Sequence, residues 1–425
     1  MRRGSLFPTA ALALASACST ERSGSIELVT GAETQVISRT PAVTRLVVDL
    51  VPDSGDKATL FAGAPSANID LGALDGALGG SIVVTGTAQD GSTVVRGATL
   101  GVTVGSLDQR NLPVFIQRTQ ELARMPGSFD DRPAPQVDLA FGRYLFAAGT
   151  GRTDGRYYDL LALAAPAQQV PPLPRAPESL AIVSSALLLI ASDGASSLDL
   201  STAATSVVRA PDGGSFAEVA GGQTIYAPDG SAYVVGATRR TGTPSNRFLR
   251  VQSGALTWGT LSVARLGAGA TWVEGRGLIV VGGSATGAGL EVVATDSVLG
   301  APLPFAAVPD AGLGAAPLGT GKLFVAPGPR VFDLACTTTC APEVWAGIPI
   351  ALTSAQAFSF RTIADRAWVV GHEPSGNTRV FEARATASTE LPLRIPRNRA
   401  TATPLPTGAL AIVGGGSPVI ESLVP

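Results

Sequence analysis

Histidine is nearly absent from this sequence, since His372 is the only one in 425 residues. There are three cysteines, and aromatic residues make up 5% of the chain. A closed structural zinc site needs four ligands, and His372 with the neighbouring pair Cys336 and Cys340 would supply only three. The sequence also contains no P-loop, no Asp-rich calcium loop and no dinucleotide-binding fingerprint. We therefore expect no metal and no cofactor.

Charge of either sign is also sparse. Charged residues make up 15% of the chain, and 31 Lys and Arg against 33 Asp and Glu give a formal net charge of −2. Nucleic-acid binding needs a basic excess that neutralises phosphates, so nucleic acid is not an expected partner. The run 180–191, which is apolar except for Ser184 and Ser185, is too short to span a bilayer and is predicted to be a buried strand.

Short apolar strands, by contrast, are abundant and regularly spaced. Seven of them end at nearly constant intervals of 43, 44, 47, 44, 44 and 44 residues. They are 145–149, 187–192, 232–236, 278–283, 323–327, 367–371 and 410–415. A repeat of about 44 residues built from short strands is typical of a β-propeller blade. The spacing therefore predicts a seven-bladed propeller over residues 119–425.

Each repeat continues with a Gly-, Ser- or Thr-rich loop, an alternating strand and a Pro-terminated segment. The last repeat, which begins at Arg399, has no Pro-terminated segment in this sequence. A segment of that kind, 119–126, instead precedes the first repeat. Because an unpaired strand edge leaves backbone groups without partners, we predict that 119–126 pairs with 419–424 and closes the ring.

The repeats resemble those of kelch-type propellers. Two of them carry the paired glycines of that family, Gly282-Gly283 and Gly414-Gly415, and the other five are degenerate. The resemblance covers residues 119–425. Copper oxidases built on kelch propellers use two His ligands, so a chain with one histidine is not expected to share that activity.

The first residues resemble a bacterial lipoprotein signal. Arg2 and Arg3 precede an apolar run that ends at Cys18, within the lipobox-like segment Leu14-Ala15-Ser16-Ala17-Cys18. The resemblance implies a signal peptide over 1–17, lipidation of Cys18, and a lipidated tether over 18–24. Ser19 after the cysteine favours the outer membrane. The alternative is an ordinary signal peptide with a fortuitous cysteine.

The remaining cysteines are separated by three threonines. In an oxidising compartment, Cys336 and Cys340 are expected to form a disulfide across a turn of the fifth blade. The closed loop is small, so its stabilisation through chain entropy is about 2 kcal/mol.

Residues 25–118 lie ahead of the propeller and carry further strand signals. The predicted strands are 25–30, 44–51, 59–62, 81–87, 93–104 and 113–117, and Asp90-Gly91 marks a hairpin. Several short strands at this spacing suggest a β-sandwich, with a domain boundary near Arg118. Its expected role is to act as a spacer between membrane and propeller.

Candidate ligand-binding residues fall in three long polar loops, 150–156, 237–246 and 372–377, expected on one face of the propeller. Arginine with tyrosine and asparagine suits polar or anionic ligands. The candidates are Arg152, Arg156, Tyr157, Arg239, Arg240 and Asn246. The alternative is a set of charged loops that only maintain solubility.

No catalytic residue is assigned. His372 is expected in a solvated loop, and the chain lacks the Gly-x-Ser-x-Gly elbow of α/β-hydrolase triads. Paired carboxylates leave no spacing signature, so acid/base hydrolysis remains an alternative. Its candidates are Asp130, Asp131, Asp154 and Asp159, which are otherwise solvated turn residues.

The sequence therefore predicts an all-β chain with an N-terminal β-sandwich followed by a seven-bladed propeller. The expected location is the bacterial cell envelope, with an outer-membrane lipid anchor. The expected role is non-catalytic binding or scaffolding for a glycan or protein ligand on the loop face. The alternative is a propeller enzyme that acts on extracellular glycan through acid/base carboxylates.

Overall fold

A computed structural model describes residues 21–52, 54–75, 79–103, 111–149, 151–212, 214–319, 321–361 and 363–425. The predicted signal peptide, lipobox and Cys18 lie outside these residues. Among the described residues, no helix combines the length and the apolar character needed to cross a membrane.

The first part of the described chain forms a seven-stranded sheet. Its strands are β1 (Glu21–Val29), β2 (Arg45–Val51), β3 (Ala58–Gly63), β4 (Asn68–Asp75), β5 (Gly79–Thr87), β6 (Thr93–Thr103) and β7 (Asn111–Arg118). Their order across the sheet is β3-β2-β5-β6-β7-β1-β4, with β1 parallel to β7 and the other pairs antiparallel. Alternation places Leu46, Val48 and Ile82 in its core.

This sheet differs from the sandwich that the sequence suggests. Hydrogen bonding joins all seven strands into one sheet, so a division into two packed sheets is not shown. Strand β4 carries two aspartates and one glycine over eight residues, so it does not show the apolar alternation of a strand. Strand β1 pairs Glu21 with Asp75, so the predicted tether of 18–24 overlaps the first strand.

The rest of the chain forms seven four-stranded antiparallel sheets within the described residues. β8 (Leu122–Arg124) comes first. Blades 1 and 2 comprise β9 (Gln136–Ala140), β10 (Tyr144–Gly149), β11 (Arg152–Asp159), β12 (Gln168–Gln169), β13 (Ser179–Val183), β14 (Ala186–Ala191), β15 (Gly194–Asp199) and β16 (Thr205–Val208). Blades 3 and 4 comprise β17 (Gln223–Tyr226), β18 (Ala232–Val235), β19 (Ser245–Gln252), β20 (Ala255–Arg265), β21 (Gly269–Val273), β22 (Gly277–Val281), β23 (Leu290–Val293) and β24 (Ala301–Leu303).

The remaining three blades follow the same plan. Blades 5 and 6 comprise β25 (Gly314–Leu318), β26 (Lys322–Ala326), β27 (Arg330–Asp333), β28 (Glu343–Val344), β29 (Ser354–Phe360), β30 (Ile363–His372), β31 (Thr378–Arg384) and β32 (Ser388–Glu390). Blade 7 comprises β33 (Thr401–Pro404), β34 (Leu410–Val413) and β35 (Glu421–Leu423), with β8 as its outer strand. The seven-bladed propeller predicted from the spacing is confirmed.

Each apolar strand that defined the repeat is the second strand of its blade. The first and innermost strands, β9, β13, β17, β21, β25, β29 and β33, line the central axis and went unrecognised. The run 180–191 illustrates why. It contains most of β13 and all of β14, separated by a tight turn in which Ser184 has a φ of +56°. Both strands are buried, so no polar break marks the turn beyond two serines.

Ring closure follows the predicted arrangement. β8 pairs antiparallel with β35, with Leu122 opposite Leu423 and Arg124 opposite Glu421. The backbone N–H of Met125 donates to the carbonyl of Ile420 at 2.9 Å. The first and last segments of the propeller therefore share one sheet, and neither is left as an open edge.

The N-terminal sheet packs directly against this closure. Leu100 and Phe115 of the sheet share a buried cluster with Met125, Leu405 and Val424 of the propeller. A cleft with a cavity volume of about 40 Å³ remains along the seam. A cavity of that size holds one or a few waters, so the seam serves packing and is too small for a sizeable ligand.

Polar contacts reinforce the same seam. Gln117 is buried, and its side-chain amide donates to the carbonyls of Glu121 and Ser422 at 3.2 and 3.1 Å. Glu121 accepts from Arg39 at 2.6 Å and from Arg394 at 2.9 Å. These bonds link the loop after β1 to the closing strand and to blade 6, so the sheet is fixed to the ring.

The disulfide expected from the sequence is present. Cys336 and Cys340 are bonded, with their Cα atoms 6.0 Å apart, in the connection between β27 and β28 of blade 5. The backbone N–H of Cys340 also donates to the carbonyl of Pro304 at 3.2 Å, so the loop contacts blade 4.

Candidate functional site

The structure separates the six predicted ligand-binding residues. We use "loop face" for the end of the propeller that carries the connections between the second and third strands and between successive blades. Arg152, Arg156 and Tyr157 lie on strand β11 of blade 1, because β10 and β11 are joined by a much shorter loop than predicted. Asn246 lies on strand β19 of blade 3. Only Arg239 and Arg240 occupy a loop, directly after a 3₁₀ turn at Gly236–Thr238.

Three of the predicted residues on blade 1 have partners within the protein. Arg152 makes a two-point ion pair with Asp154, with both N–O distances at 2.8 Å. Arg156 donates to the carbonyl of Phe129 at 3.3 Å, and Tyr157 donates to Gln168 at 2.5 Å. Arg152 is therefore neutralised within its own strand, whereas Arg156 and Tyr157 each use one donor within the protein.

Blade 3 carries the other three candidates, of which Arg239 and Asn246 contact backbone carbonyls and Arg240 does not. Arg239 donates to the carbonyls of Ala217 and Thr243, both at 2.6 Å, and Asn246 donates to the carbonyl of Leu261 at 3.3 Å. Arg240 forms no ion pair among the described residues. It donates through Nη1 to the hydroxyl of Ser354 at 2.9 Å.

The contact between Arg240 and Ser354 places Arg240 at the axis. Arg240 belongs to blade 3, and Ser354 is the first residue of β29, the inner strand of blade 6. Blades three positions apart are as far apart as a ring of seven permits, so a side chain that joins them lies at the centre. Arg240 is exposed, yet burial lowers its pKa. The exposure and the lowered pKa agree because the guanidinium lies at the mouth of the central channel, where one side meets solvent and protein surrounds the others.

His372 lies beside this mouth and not in a solvated loop. It is the last residue of β30, is 7% exposed, and uses both ring nitrogens. Nε2 lies 2.9 Å from the carbonyl of Ala400, which can only accept, and Nδ1 lies 3.0 Å from the Ser354 hydroxyl. The neutral ring therefore carries its proton on Nε2 and accepts at Nδ1. Loop position was inferred from the preceding Gly371, but β30 continues one residue past that glycine.

Arg399 completes the group, which we call the axial mouth: Arg240, Ser354, His372 and Arg399. Burial lowers the pKa of His372, and the positive charges of Arg240 and Arg399 lower it further. Arg399 also lowers the pKa of Arg240. No carboxylate contributes to either shift, so the mouth carries two positive charges beside a neutral imidazole. Arg399 precedes β33 by two residues, and nothing in its sequence context marked it.

The channel behind the mouth contains one carboxylate. Among the seven inner strands, all within the described residues, Asp138 on β9 is the only acid. It accepts from the hydroxyl of Tyr226 on β17, two blades away, and from the backbone N–H of Leu139 at 2.8 Å. Burial raises the pKa of Asp138 to about 7. The Tyr226 oxygen accepts in turn from Ile182 N–H at 2.9 Å.

Three of the four acids considered for hydrolysis are held in ion pairs. Asp130 pairs with buried Arg132 at 2.8 Å, and Asp154 pairs with Arg152 and with Arg132. Asp159 pairs with Arg143 at 2.6 Å. Asp131 is exposed. The described residues contain no group of three or more His, Cys, Asp or Glu side chains able to hold a metal ion.

Several solved structures resemble this chain, and the likeness with a TM-score of 0.50 supports the fold. A streptogramin B lyase structure matches with a TM-score of 0.50 and 11% identity, over 71% of this chain and 96% of that one. YCF48 from Cyanidioschyzon merolae matches with a TM-score of 0.46 and 11% identity, over 72% and 99%. No protein-family model and no curated protein matches this sequence. At such low identity the likeness concerns the seven-bladed fold and not the activity.

Proposed function

We propose that this chain is a cell-envelope lipoprotein whose propeller binds a glycan or protein ligand on its loop face without catalysing a reaction. The observation that carries the proposal is the contrast between the channel and its mouth. Hydrolysis of glycans by an acid/base pair uses two carboxyl groups about 5–10 Å apart. The inner strands supply one, Asp138, which already holds Tyr226.

The mouth, by contrast, offers unpaired hydrogen-bond donors to solvent. Arg240 and Arg399 are exposed and have no acidic partner among the described residues. Guanidinium groups in this state suit recognition better than stability, because a structural arginine is ordinarily paired. The alternative, an enzyme on extracellular glycan, would need a second carboxylate that a ligand or a loop movement brings in.

The envelope location rests on two features. The lipobox-like segment that ends at Cys18 is typical of a lipid-anchored protein. The Cys336–Cys340 disulfide is of the kind that persists in oxidising compartments. In this proposal the N-terminal region is a rigid spacer, because its sheet shares a core with the ring.

The kelch-type nature of the repeats belongs to the same proposal. Gly282, Gly283, Gly414 and Gly415 all have φ between +72° and +74°. The two double-glycine repeats therefore use one backbone geometry, which a side chain would strain. Such shared geometry supports a common repeat, as the paired glycines in the sequence suggested.

A binding screen of the purified full chain tests the ligand-binding part of the proposal. Glycan arrays and envelope-protein extracts are the two ligand sets, and a matched screen uses a chain with Arg240→Ala and Arg399→Gly. A ligand retained by the parent and lost by the double variant supports binding at the loop face. Turnover of a glycan by the parent, abolished by Asp138→Asn, would instead establish the enzyme.

The anchor is tested separately. Labelling cells with a radioactive fatty acid should mark the parent chain and leave Cys18→Ala unlabelled, and the variant should leave the membrane fraction. Membrane retention without any acyl label on the parent would contradict lipidation.

A further inference from the structure

We propose that the axial mouth is a subsite for an anionic oxygen group of the ligand, which is a carboxylate, sulfate or phosphate. The inference rests on the proposed binding function and names the chemistry that this site recognises. Arg240 and Arg399 are the binding residues, whereas Ser354 and His372 are positioning residues. Neither Arg399 nor the Ser354–His372 pair was expected from the sequence.

The first argument is uncompensated charge. Glu373 follows His372 directly and is the nearest acid in sequence, but it is already occupied. It accepts from Arg379 at 2.8 Å and from Asn377 at 2.9 Å. The carboxylate therefore neutralises its own loop and not the mouth. Two guanidinium groups without an acid near them repel each other, and an anion between them would remove that cost.

The second argument is the backbone of Arg399. Five blades place a residue with positive φ two positions before the inner strand. These residues are Ala134 at +48°, Gly221 at +81°, Gly267 at +68°, Gly312 at +72° and Arg399 at +54°. Glycine adopts this conformation without strain, and a residue with a Cβ does not. An arginine where three blades use glycine indicates a side chain kept for a purpose other than stability.

The third argument is the rigid support of both arginines. The Arg399 N–H donates to the carbonyl of Gly376 at 2.9 Å, and its own carbonyl accepts from Ala134 at 2.6 Å. Arg240 is oriented by Ser354, whose hydroxyl can donate onward to His372 Nδ1. His372 is fixed in turn by Ala400. Arg240 forms one side-chain hydrogen bond in the described structure and has five N–H groups, so most of its donors have no hydrogen-bond partner among the described residues.

His372 provides the measurement, because it is the only histidine in the chain. Its imidazole resonances can be followed by NMR through a pH titration of the intact protein. An anion bound between Arg240 and Arg399 would offset the positive charge that lowers the His372 pKa. We expect sodium phosphate, sulfate or acetate to raise that pKa by about one unit in a saturable manner, relative to sodium chloride at matched ionic strength.

Variants identify the site. Arg240→Ala and Arg399→Gly should each weaken anion binding about tenfold or more, since each removes a charge-assisted interaction. Arg361→Ala is the matched control. Arg361 is an exposed arginine at the opposite face, 2.9 Å from Glu274, and its loss should leave binding unchanged. Arg399→Gly suits the local backbone, so it keeps the test valid if Arg240→Ala fails to fold.

The outcomes separate this inference from the proposed function. Glucuronate against glucose, and an N-acetylated amino acid against its amide, distinguish acidic glycan from peptide carboxylate as the source of the anion. No saturable His372 shift with any anion, or equal shifts in the parent and the double variant, would overturn the subsite. A neutral ligand found by the binding screen, unaffected by Arg399→Gly, would also overturn it while leaving loop-face binding intact.

Discussion

Two groups of arginines on the loop face show opposite uses of one side chain. Arg132, Arg265 and Arg397 are buried and paired with acids, whereas Arg240 and Arg399 are exposed and form no ion pair with any described residue. In the buried group, Nη1 donates to the carbonyl of a glycine 17 residues later in the chain in all three cases. The constant spacing shows a repeated structural device that joins the start of a blade to the end of its second strand.

The difference between the groups lies in their acidic partners. Glu291 and Glu421 occupy corresponding positions in β23 and β35 and are fully buried against Arg265 and Arg397. Within the part of the chain that the structure describes, no acid pairs with Arg240 or Arg399. Position on the loop face therefore does not decide the role of an arginine in this protein. An arginine with a buried acid maintains the blade, and one without an acid is available to a ligand.

Deletion of Ser417–Pro425 should have the largest effect on stability. The deletion removes Glu421 together with β35, the strand that pairs with β8. Because both ends of the ring meet in that sheet, we expect loss of cooperative folding throughout the propeller, measured by circular dichroism and thermal unfolding. A truncated chain that keeps its melting temperature would show that closure is unimportant.

Removing the buried cation alone should have the next largest effect. Arg397→Ala leaves Glu421 buried without its charge partner and frees the carbonyls of Gly414 and Val419. We expect a loss of about 3–5 kcal/mol in the free energy of unfolding, measured by urea denaturation. Arg361→Ala on the opposite face should change it by less than about 1 kcal/mol. If the two substitutions reduced the free energy of unfolding equally, burial and pairing with an acid would not explain the role of Arg397.

Asp138 is the converse case, a buried acid that has no basic partner among the described residues. Its pKa is raised from 3.8 to about 7 in the folded protein. Below about pH 3.8 the Asp138 carboxyl is protonated in both the folded and the unfolded state, so its contribution to stability is fully present. As the pH rises from 3.8 through about 7, the unfolded state loses this proton first, and the contribution to the free energy of unfolding is lost. Over that window we expect the parent to lose up to about 4 kcal/mol relative to Asp138→Asn. Parallel stability profiles for the parent and the variant would contradict the raised pKa.

Arg399→Gly should have the smallest effect on stability. Glycine suits a φ of +54°, so the free energy of unfolding should stay constant or rise by up to about 1 kcal/mol. Arg399→Ala removes the same charge but keeps the Cβ, and it should be less stable than the glycine variant. A large loss of stability in Arg399→Gly would place Arg399 with the buried group.

The sequence predicted the seven-bladed fold through spacing, whereas spacing gives no information on the candidate site. The second strands are apolar throughout because blades pack on both of their faces, so their regular ends were visible. Inner strands such as Thr401–Pro404 and Gln223–Tyr226 mix small, polar and apolar residues, because one side faces the channel. That mixture resembles a loop, and these strands were missed.

The residues of the axial mouth are far apart in the sequence, which explains why only Arg240 was among the predicted residues. Arg240 was among the six predicted residues, but its partner Ser354 is 114 residues away. Nothing local distinguishes Arg240 from Arg239, which caps two backbone carbonyls of its own blade. Arg399 differs from an ordinary loop residue only in its φ, which composition does not reveal.

The packing of the N-terminal sheet on the ring closure also determines how the molecule would bear mechanical load. A force applied ahead of Glu21 enters β1, which is held by the ladders to β4 and to β7. These ladders must yield before tension reaches Thr119–Glu121 and the closing strand β8. The seam contacts of Gln117 and Glu121 add a second anchorage at that point. Under such a load, the ladders of the N-terminal sheet would therefore open before the pairing of β8 with β35.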